Sequence, residues 1–519
     1  MQEQHFRRYY CGSSMIGETV RIQLEPTSTV VEVPVGAQLA VSLAEFGVEF
    51  PCGGAGICGG CRVRVLHGSL PATESDKGGF SPEELAAGWR LACQALALTP
   101  LVLECSQWKM DVLVDDSRLA GRGKSGVGLA IDLGTTTIAA QIIDLASGDV
   151  LGVETALNPQ AQYGSEVMQR IQGALSGADL TGPIRLVLGQ MVAKLAGGRE
   201  EEVREVVLVG NTVMHHLFSG LDVEPLSRVP FQSCQDGVKC FQPREIGWDL
   251  PPDCLIRFES CLGGFVGSDI LAGIIAVGMG SSADLIALVD LGTNGEIAIG
   301  NRDGIVCASA AAGPAFEAGA IHMGMRATSG AVSRVWLSGG ETCSSVIGDV
   351  EARGICGSGL VDAIAVGLAD GRILSSGRIA DGTKLFPVSG SVVLHQSDIR
   401  QLQLAKGAIA AGFRLLLNRL GANSCDLKRI CLAGAFGNYV QVESAVAISL
   451  IEAPAGRISA VGNTALRGAK IMLLSETEPV LPGIEHMSLA MNPEFQDQFA
   501  DCMRFPEHEI PLLLLRDFH

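Results

Sequence analysis

The sequence predicts an α/β body of two related lobes that follows a small α+β metal-binding domain. Two observations predict this class: a glycine-rich cysteine loop near the start of the chain, and a strand–turn–strand pattern that occurs twice farther along. The chain has 519 residues, which is enough for about three to four domains of ordinary size. Hydrophobic residues make up 47% and charged residues 18%, so large apolar cores are expected.

The first domain is predicted from local patterns on both sides of the cysteine loop. Residues 19–33 alternate apolar and polar side chains around a Pro/Thr/Ser turn, which predicts a hairpin. Residues 37–46 have helical spacing, and a strand is expected at 62–66 after the loop. We therefore expect a small α+β domain over 15–108. The charged and then glycine-rich stretch 109–126 is predicted to be a linker.

The cysteine loop PCGGAGICGGCRV has C-x5-C-x2-C spacing, and a fourth cysteine follows in RLACQA. A [2Fe–2S] cluster needs four thiolates, and the plant-type spacing is one residue shorter in the first gap. Structural zinc is the alternative, but its cysteines usually come as two short pairs and only one is present here. Cys105 competes for the place of the fourth ligand. The predicted cluster ligands are Cys52, Cys58, Cys61 and Cys93.

The rest of the chain contains an internal repeat. Residues 127–144 and 285–302 share an apolar strand, the turn D-L-G-T and a second alternating strand. The separation is too long for the period of a solenoid, and it favours two related lobes. We expect the first lobe at 127–260 and the second lobe, with the C-terminal segment, at 261–519.

The two D-L-G-T turns are the predicted phosphate loops. Each turn exposes backbone N–H groups and hydroxyls, and an aspartate at the end of a strand can hold Mg²⁺ through water. One such turn is weak evidence because hairpins use the same residues, but two of them predict a nucleotide cleft between lobes. No Walker A sequence is present. The candidate residues are Asp132, Gly134, Thr135, Thr136 and Thr137 in the first turn and Asp290, Gly292, Thr293, Asn294 and Gly295 in the second.

Two further glycine loops are candidates for the same cleft. The loop L-A-G-A-F-G-N follows a strand and is able to approach a nucleoside ring closely. The loop G-I-C-G-S-G opens a helical run, where its glycines serve either the cleft or helix packing. The candidate residues are Gly434, Ala435, Phe436, Gly437 and Asn438 in the first loop and Gly357 and Gly359 in the second.

Glu317 and a histidine pair are the remaining candidates. Glu317, in AGPAFEAG, is either a carboxylate that positions water or a surface acid at the start of a helix. His215 and His216 follow G-N-T, and adjacent side chains point to different faces, so at most one of them would contact a ligand. A polar loop is the favoured interpretation of this pair.

Composition excludes several classes of function. The formal net charge of −18 argues against binding to nucleic acid, which calls for a basic stripe. The most apolar stretch, 270–292, is interrupted by serines and aspartates, so no membrane span is expected. The N-terminus lacks the apolar core of a signal peptide, and we expect a cytoplasmic protein. Sixteen cysteines in such a chain indicate metal ligands and buried thiols rather than disulfides.

A family resemblance follows from these motifs. The twin D-L-G-T turns and G-A-F-G resemble the acetate/sugar kinase, Hsp70 and actin superfamily. The series PCGGAGICGGCRV, DLGTTT, NPQAQYGSEVMQRI, GNTVMHHL, AAGPAFEAG, LAGAFGNY and MNPEFQDQF resembles something narrower, the reductive activators of corrinoid proteins. Those proteins carry a [2Fe–2S] domain ahead of an ATPase body. The resemblance spans about residues 19–506.

The resemblance implies a β-grasp, plant-type ferredoxin domain before an actin/Hsp70-like ATPase. It implies ATP-dependent, one-electron reduction of a Co(II) corrinoid protein to Co(I) in a methyltransferase system. The electron would come from an external low-potential donor through the N-terminal cluster, in a homodimer. In this assignment Asp132 and Asp290 organise Mg²⁺ and the attacking water, the two turns hold the phosphates of ATP, and residues 434–438 face adenosine.

Three alternatives remain open from the sequence. The first is an activator of another low-potential enzyme, such as a 2-hydroxyacyl-CoA dehydratase, although such activators hold a [4Fe–4S] cluster between subunits and lack a ferredoxin domain. The second is a small-molecule kinase with a redox-sensing domain. The third is a chaperone-like ATPase that loads corrinoid rather than electrons, and it would not need Cys58.

Overall fold

The hairpin expected at the start of the chain pairs Thr19–Glu25 with Thr29–Pro34 in antiparallel register. Val20, Ile22 and Leu24 are buried, as their alternation requires. This is a computed structural model, and it describes residues 18–25, 29–44, 56, 61–105, 114–164, 166–232, 235–292, 294–477 and 480–507. The chain divides into two compact units, 1–109 and 110–519.

In the first unit, five of the described strands form a mixed sheet, and Ala37–Gln38 pairs separately with Leu96–Ala97. Thr19–Glu25 lies at its second position and runs parallel to Leu101–Cys105. The helix Leu39–Ala44 lies within the predicted 37–46, of which 45 and 46 lie outside the described residues. The other elements are the strands Ala37–Gln38, Arg62–His67, Trp89–Leu91 and Leu96–Ala97, the helices Glu74–Gly79 and Pro82–Ala86, and the 3₁₀ turn Ala92–Gln94.

The first lobe of the second unit is built on a six-stranded sheet. Val127–Leu133 forms a hairpin with Thr137–Asp144, and Val150–Leu157 continues it. Val203–Val209 runs parallel to Val127–Leu133 on its other side. The Val, Ile and Leu side chains of these central strands are buried on both faces, which is typical of strands covered by helices. The remaining elements are the strands Lys239–Phe241 and Leu255–Phe258 and the helices Val167–Leu175, Thr181–Ala196 and Thr212–Ser219.

The second lobe repeats this topology. Ile286–Leu291 forms a hairpin with Gly295–Asn301, Gly304–Ala310 continues it, and Arg429–Ala433 runs parallel on the other side. The first four strands therefore have the same order in both sheets, and the predicted two-lobed α/β body is confirmed. The sheet is completed by Ile458–Gly462 and Ile484–His486; smaller sheets are formed by Ala331–Ser338, Glu341–Val346 and Gly354–Ile355 and by Leu385–Ser389 and Val392–His395.

Two helices lie between the sheets: the bridging helix Ser268–Ala276 and the return helix Thr464–Leu474. The return helix follows a strand of the second lobe in the chain, yet its apolar face packs on strands of the first lobe. The predicted lobe boundary at 260/261 assigns this helix to the second lobe, although it packs on the first. The helices touch where a Cβ on Gly468 would lie 2.0 Å from the carbonyl oxygen of Ala272, so this contact requires glycine.

The remaining helices cover the second lobe. The long helix Gln396–Arg419 packs its apolar side chains into the core of this lobe. The helix Phe495–Cys502, in the C-terminal segment, packs on it. None of the described helices is long and apolar enough to cross a membrane. The others are Gly357–Ala369, Gly434–Tyr439 and Val442–Ala447.

Candidate functional site

Two of the four predicted cluster ligands lie in the described residues, and the structure brings them together. Cys61 immediately precedes the strand Arg62–His67, and Cys93 lies in the 3₁₀ turn Ala92–Gln94. The N–H of Ala92 donates to the carbonyl oxygen of Cys61 at 2.9 Å, which holds the two segments side by side. Both thiols are buried. Cys52 and Cys58 lie outside the described residues.

Cys93 and Cys105 differ in the pKa of their thiols, and a metal ligand must be a thiolate. A hydrogen bond with Cys61 is the main cause that lowers the pKa of Cys93 to about 6. The side-chain amide of Gln94 and the backbone of Gly56 stabilise its thiolate further. Burial instead raises the pKa of Cys105 to about 12, so that thiol stays protonated. The donor set around Cys93 fits a metal thiolate, and that around Cys105 fits a core residue.

The first D-L-G-T turn is braced from several sides. The N–H of Gly134 donates to the carbonyl oxygen of Thr137 at 3.0 Å, which closes the turn. The Asn158 side chain donates to the carbonyl oxygen of Gly134 at 2.9 Å. The Asn211 side chain donates to the hydroxyl of Thr135 at 2.8 Å. The turn is therefore held in one conformation by two asparagines of its own lobe.

The second turn has fewer fixed contacts among its described residues. The N–H of Gly292 donates to the carbonyl oxygen of Asn294 at 3.0 Å. Gly434 approaches so closely that a Cβ there would lie 2.4 Å from the Oδ1 atom of Asp290, and its φ is +78°. Only glycine tolerates this arrangement. Gly295 is buried beneath Ile409, and Thr293 lies outside the described residues.

Four carboxylates meet between the two turns: Asp132, Asp290, Asp269 and Glu296. Each of these residues is half-buried. Burial raises the pKa of Asp132 to about 6. Burial and then the charge of Asp132 raise the pKa of Asp290 to about 7. Burial and then the charge of Asp290 raise the pKa of Asp269 to about 8. The carboxylates therefore repel one another and favour the arrival of a cation.

Glu296 is the fourth member of this cluster. Burial, followed by the charges of Asp269 and Asp290, raises its pKa well above the ordinary value. The hydroxyl of Ser309 lies 3.2 Å from its Oε1 atom. Within the described residues, no three His, Cys, Asp or Glu side chains are arranged to hold a metal ion by themselves. A Mg²⁺ ion here would need water and phosphate oxygens to complete its shell, as is usual for this ion.

Asn463 connects the second lobe to the first turn, and sequence reasoning missed it. Its side-chain amide donates to the Oδ2 atom of Asp132 at 2.9 Å, across 331 residues of chain. Its side-chain oxygen accepts from the N–H of Leu466 and so caps the return helix. A repeated V-G-N-T, at 209–212 and 461–464, was the signal that could have found it. Asp269 and Glu296 were missed as well, because no repeated motif marks them.

Three glycine-containing segments converge beside the second turn. The Phe316 and Phe436 rings lie 4.7 Å apart, so the turn Pro314–Glu317 packs on the helix Gly434–Tyr439. A Cβ on Gly357 would lie 1.7 Å from the carbonyl oxygen of Phe316, and one on Gly359 would lie 2.2 Å from that of Val332. This close approach supports the packing alternative for Gly357 and Gly359.

The other members of these segments differ in exposure. Gly437 is buried and Asn438 is half-exposed at the end of the turn of helix that begins at Gly434. Ala435 belongs to the same helix. Glu317 is exposed and ends a 3₁₀ turn. Gly434 lies against the carboxylate of Asp290.

The polar-loop interpretation of His215 and His216 is wrong. Both side chains are fully buried in the helix Thr212–Ser219, and their Nδ1 atoms lie 3.4 Å apart. His216 contacts the carbonyl oxygen of Thr212 and His215 that of Gly237. Burial lowers the pKa of His215 to about 4, so the pair is neutral and contributes to the core beneath the first turn.

Comparison with known proteins agrees with this layout. Three protein-family models match in chain order: "2Fe-2S iron-sulfur cluster binding domain" at 22–98, "RACo middle region" at 127–282 and "C-terminal domain of RACo the ASKHA domain" at 284–513. The "Corrinoid activation enzyme RamQ" of Eubacterium limosum is 34% identical over 416 residues, which cover 72% of this chain and 69% of that protein. The chain belongs to the reductive activators of corrinoid proteins.

Two more proteins are similar to this chain over most of its length. The "[Co(II) methylated amine-specific corrinoid protein] reductase" of Methanosarcina barkeri is 25% identical over 67% of this chain and 70% of its own length. A solved structure described as "Reductive activator for corrinoid,iron-sulfur protein" has a TM-score of 0.63 and 26% identity, and the match covers 94% of this chain and 98% of that one. The predicted order, a [2Fe–2S] domain followed by an actin/Hsp70-like body, is therefore confirmed for this family member.

Proposed function

We propose that this chain uses ATP to deliver one electron to the Co(II) corrinoid protein of a methyltransferase system, which yields Co(I). The observation that carries the proposal is the union, in one chain, of a paired-cysteine site with a cleft in which equivalent strands of two lobes end in carboxylates. Relatives named as a corrinoid activation enzyme and as a Co(II) corrinoid protein reductase support the identity of the acceptor.

The thermodynamics of this reaction explain why an ATPase is needed. Plant-type clusters have potentials near about −400 mV, and Co(I) is a stronger reductant still. For one electron, about 59 mV corresponds to each tenfold change in the equilibrium constant. A nucleotide shifts such an equilibrium only if it binds two states of the protein with different affinity. A two-lobed body that closes on ATP provides two such states.

The cysteines hold the redox group in this proposal. A [2Fe–2S] cluster bound by Cys52, Cys58, Cys61 and Cys93 supplies one-electron chemistry. The backbone N–H of Gly56 and the side-chain amide of Gln94 are placed to stabilise sulfur charge. Hydrogen bonds of this kind contribute to the potential of a cluster.

The two aspartates have different roles in ATP hydrolysis. The hydrogen bond from Asn463 counteracts the rise in the pKa of Asp132, so this carboxylate would hold Mg²⁺ through water. Asp290, with a pKa of about 7, is suited to accept a proton from the attacking water near neutral pH. Residues Thr135, Thr136, Gly292, Thr293 and Asn294 would hold the phosphates, and Gly434 to Asn438 would face adenosine.

Asp269 and Glu296 are the carboxyl groups that neighbour Asp132 and Asp290. A pKa of about 8 keeps a proton on Asp269 at neutral pH in the free protein, and burial together with the neighbouring charges of Asp269 and Asp290 raises the pKa of Glu296 as well. These carboxyl groups would lose protons beside a bound Mg²⁺ ion, because a divalent cation favours the ionised forms. Proton release on nucleotide binding is therefore expected.

The proposed partners follow from the same assignment. They are a corrinoid protein, an external low-potential electron donor and a second copy of the chain as a homodimer, with neither nucleic acid nor membrane among them. The strongly acidic composition fits this exclusion of nucleic acid.

Mixing the purified protein with a Co(II) corrinoid protein, a reductant and Mg·ATP tests the proposal, with the visible spectrum reporting Co(I). We expect Co(I) with ATP and at least about tenfold less without it, and the corrinoid protein should raise ATP turnover. The full-length Asp132→Ala variant is the matched control, because it keeps the ferredoxin unit. Equal Co(I) from this variant and the parent would show that ATP does not drive the reduction.

The same mixture separates the alternatives. Phosphate transfer to a small molecule without any partner protein would favour the kinase. Unchanged function after Cys93→Ser would favour the corrinoid-loading ATPase. A [4Fe–4S] spectrum would favour an activator of another low-potential enzyme.

The identity of the fourth cluster ligand has its own test. Cys93→Ser should remove most of the brown colour and about two iron per chain, because the buried pair with Cys61 is lost. Cys105→Ser, a matched change of a buried thiol, should retain the colour because that thiol is protonated in the core. Iron and sulfide analysis measures both, and the reverse result would move the fourth ligand to Cys105.

A further inference from the structure

Lys470 is a fully buried cation whose partners lie far away in the chain. Its ammonium donates to the carbonyl oxygen of Ser117 at 2.6 Å and forms an ion pair with Asp115. The lysine side chain has 0% exposure and that of Asp115 has 8%. We call residues 114–126 the strap; the predicted linker 109–126 contains it. A buried charge is costly unless it is paired, so Lys470 specifies where the strap lies.

The strap is held along its length. The Gln141 side chain donates to the carbonyl oxygen of Asp115 at 2.5 Å. The N–H of Arg122 donates to the carbonyl oxygen of Leu145 at 2.9 Å, and its guanidinium pairs with Glu205 at 2.8 Å. The described part of the predicted linker is thus docked on the first lobe rather than free. It is also the segment that follows the ferredoxin unit, 1–109, in the chain.

The helix that carries Lys470 begins at the nucleotide cleft. Asn463 caps the return helix and donates to Asp132. Lys470 lies seven residues farther on, which is about 10 Å along a helix. The return helix also packs on the bridging helix, whose first turn contains Asp269 of the carboxylate cluster. One rigid element therefore contacts the predicted Mg²⁺-binding carboxylate at one end and the strap at the other.

We propose that Lys470 is a positioning residue. It couples nucleotide binding in the cleft to the contacts that fix the position of the strap, and through the strap to the ferredoxin unit. The proposal rests on the ATP-dependent function proposed above. When Mg·ATP engages Asp132, the Asn463 hydrogen bond must rearrange or move with the carboxylate. The return helix then shifts, and the Lys470 contacts to Asp115 and Ser117 change with it. The ATPase body thereby controls the segment from which the electron carrier extends.

Hydrogen exchange of the full-length protein, read by mass spectrometry, tests this coupling. In the parent, Mg²⁺ with a non-hydrolysable ATP analogue should change exchange of strap amides 115–122 at least threefold relative to the free protein. Lys470→Met and Asp115→Asn should speed strap exchange about tenfold and abolish its response to nucleotide. Asp116→Asn changes the exposed neighbour of Asp115 and is the matched control, which should behave as the parent.

Two further measurements distinguish coupling from a purely structural role. Basal ATP hydrolysis of Asp115→Asn should stay within about twofold of the parent, while Co(I) formed per ATP hydrolysed should fall at least fivefold. Amides of the return helix should stay protected in that variant, which shows that the body is folded. If Lys470→Met fails to fold, Asp115→Asn alone decides the question.

The outcomes separate this inference from the proposed function. Amides 290–292 and 434–438 report nucleotide binding directly. If the analogue protects them but leaves strap exchange unchanged, the coupling is wrong and the proposed function stands. If it protects neither region, the ATP site itself is wrong. Equal strap exchange in Asp115→Asn and Asp116→Asn would also overturn the role of Lys470.

Discussion

The two D-L-G-T turns have the same four residues and different surroundings. The first is braced by Asn158 and Asn211 from its own lobe, and Asn463 reaches its aspartate from the other lobe. The second is closed by its own backbone and packed against Gly434. One turn is thus held by side-chain amides, and the other by close backbone contact.

This difference separates the chemistry of the two aspartates. Burial raises both pKa values, but the amide of Asn463 counteracts the rise at Asp132, whereas the charge of Asp132 adds to the rise at Asp290. Two carboxylates whose environments separate their pKa values are suited to different roles. In the proposed function, the two copies of this motif would therefore supply one residue for metal binding and one for proton transfer.

Removing either aspartate is expected to have the largest effect on ATP hydrolysis. Asp132→Ala and Asp290→Ala should each lower Mg-dependent hydrolysis by about 100-fold or more, because each removes a group that acts on the reacting phosphate or water. The visible spectrum of the iron–sulfur site should stay unchanged. Asp284→Ala changes an exposed aspartate that precedes the strand containing Asp290, and it is the control. Parental hydrolysis in either variant would remove that aspartate from the mechanism.

Asn463→Ala and Asn211→Ala test whether the bracing sets the pKa of Asp132. Both changes remove a helix cap, which costs about 1 kcal/mol, so the pair is matched for stability. Asn463→Ala alone removes the hydrogen bond that lowers the pKa of Asp132. The acid limb of the pH–rate profile should therefore move to higher pH by roughly one unit. Equal shifts in the two variants would show that the bond to Asp132 has no special role.

Asp269→Asn tests the carboxylate cluster through stability and has the smallest expected effect. The unfolded chain loses the Asp269 proton near pH 3.8, whereas the folded protein keeps it up to about pH 8. Between these values the folded state binds more protons, so the free energy of unfolding falls as pH rises. Asp269→Asn removes this loss, and its melting temperature should exceed that of the nucleotide-free parent by roughly 2–4 °C at pH 8.

The gain from Asp269→Asn should shrink towards pH 4, and thermal denaturation at several pH values measures it. Asp284→Asn should leave the pH dependence unchanged, because that side chain is exposed. A lower melting temperature for Asp269→Asn at pH 8 would mean that the ionised carboxylate is stabilised in the free protein.

Local pattern was enough to predict the elements that carry the site. Apolar strands that end in D-L-G-T form the central hairpins of both sheets, because strand alternation and turn chemistry act over a few residues. The cysteine spacing likewise indicated a ligand loop, and Cys61 and Cys93 are adjacent in the fold. The repeated V-G-N-T was equally available in the sequence, and both copies cap helices.

Where each side chain ends up was decided by tertiary structure alone. The two copies of V-G-N-T are alike, yet Asn211 binds Thr135 within its lobe while Asn463 crosses to Asp132. Lys470 meets Ser117 across 353 residues of chain, a pairing with no local signal. Burial likewise placed His215 in the core. Sequence determines local conformation through nearby atoms, whereas these contacts exist only after two lobes exchange helices and exclude water.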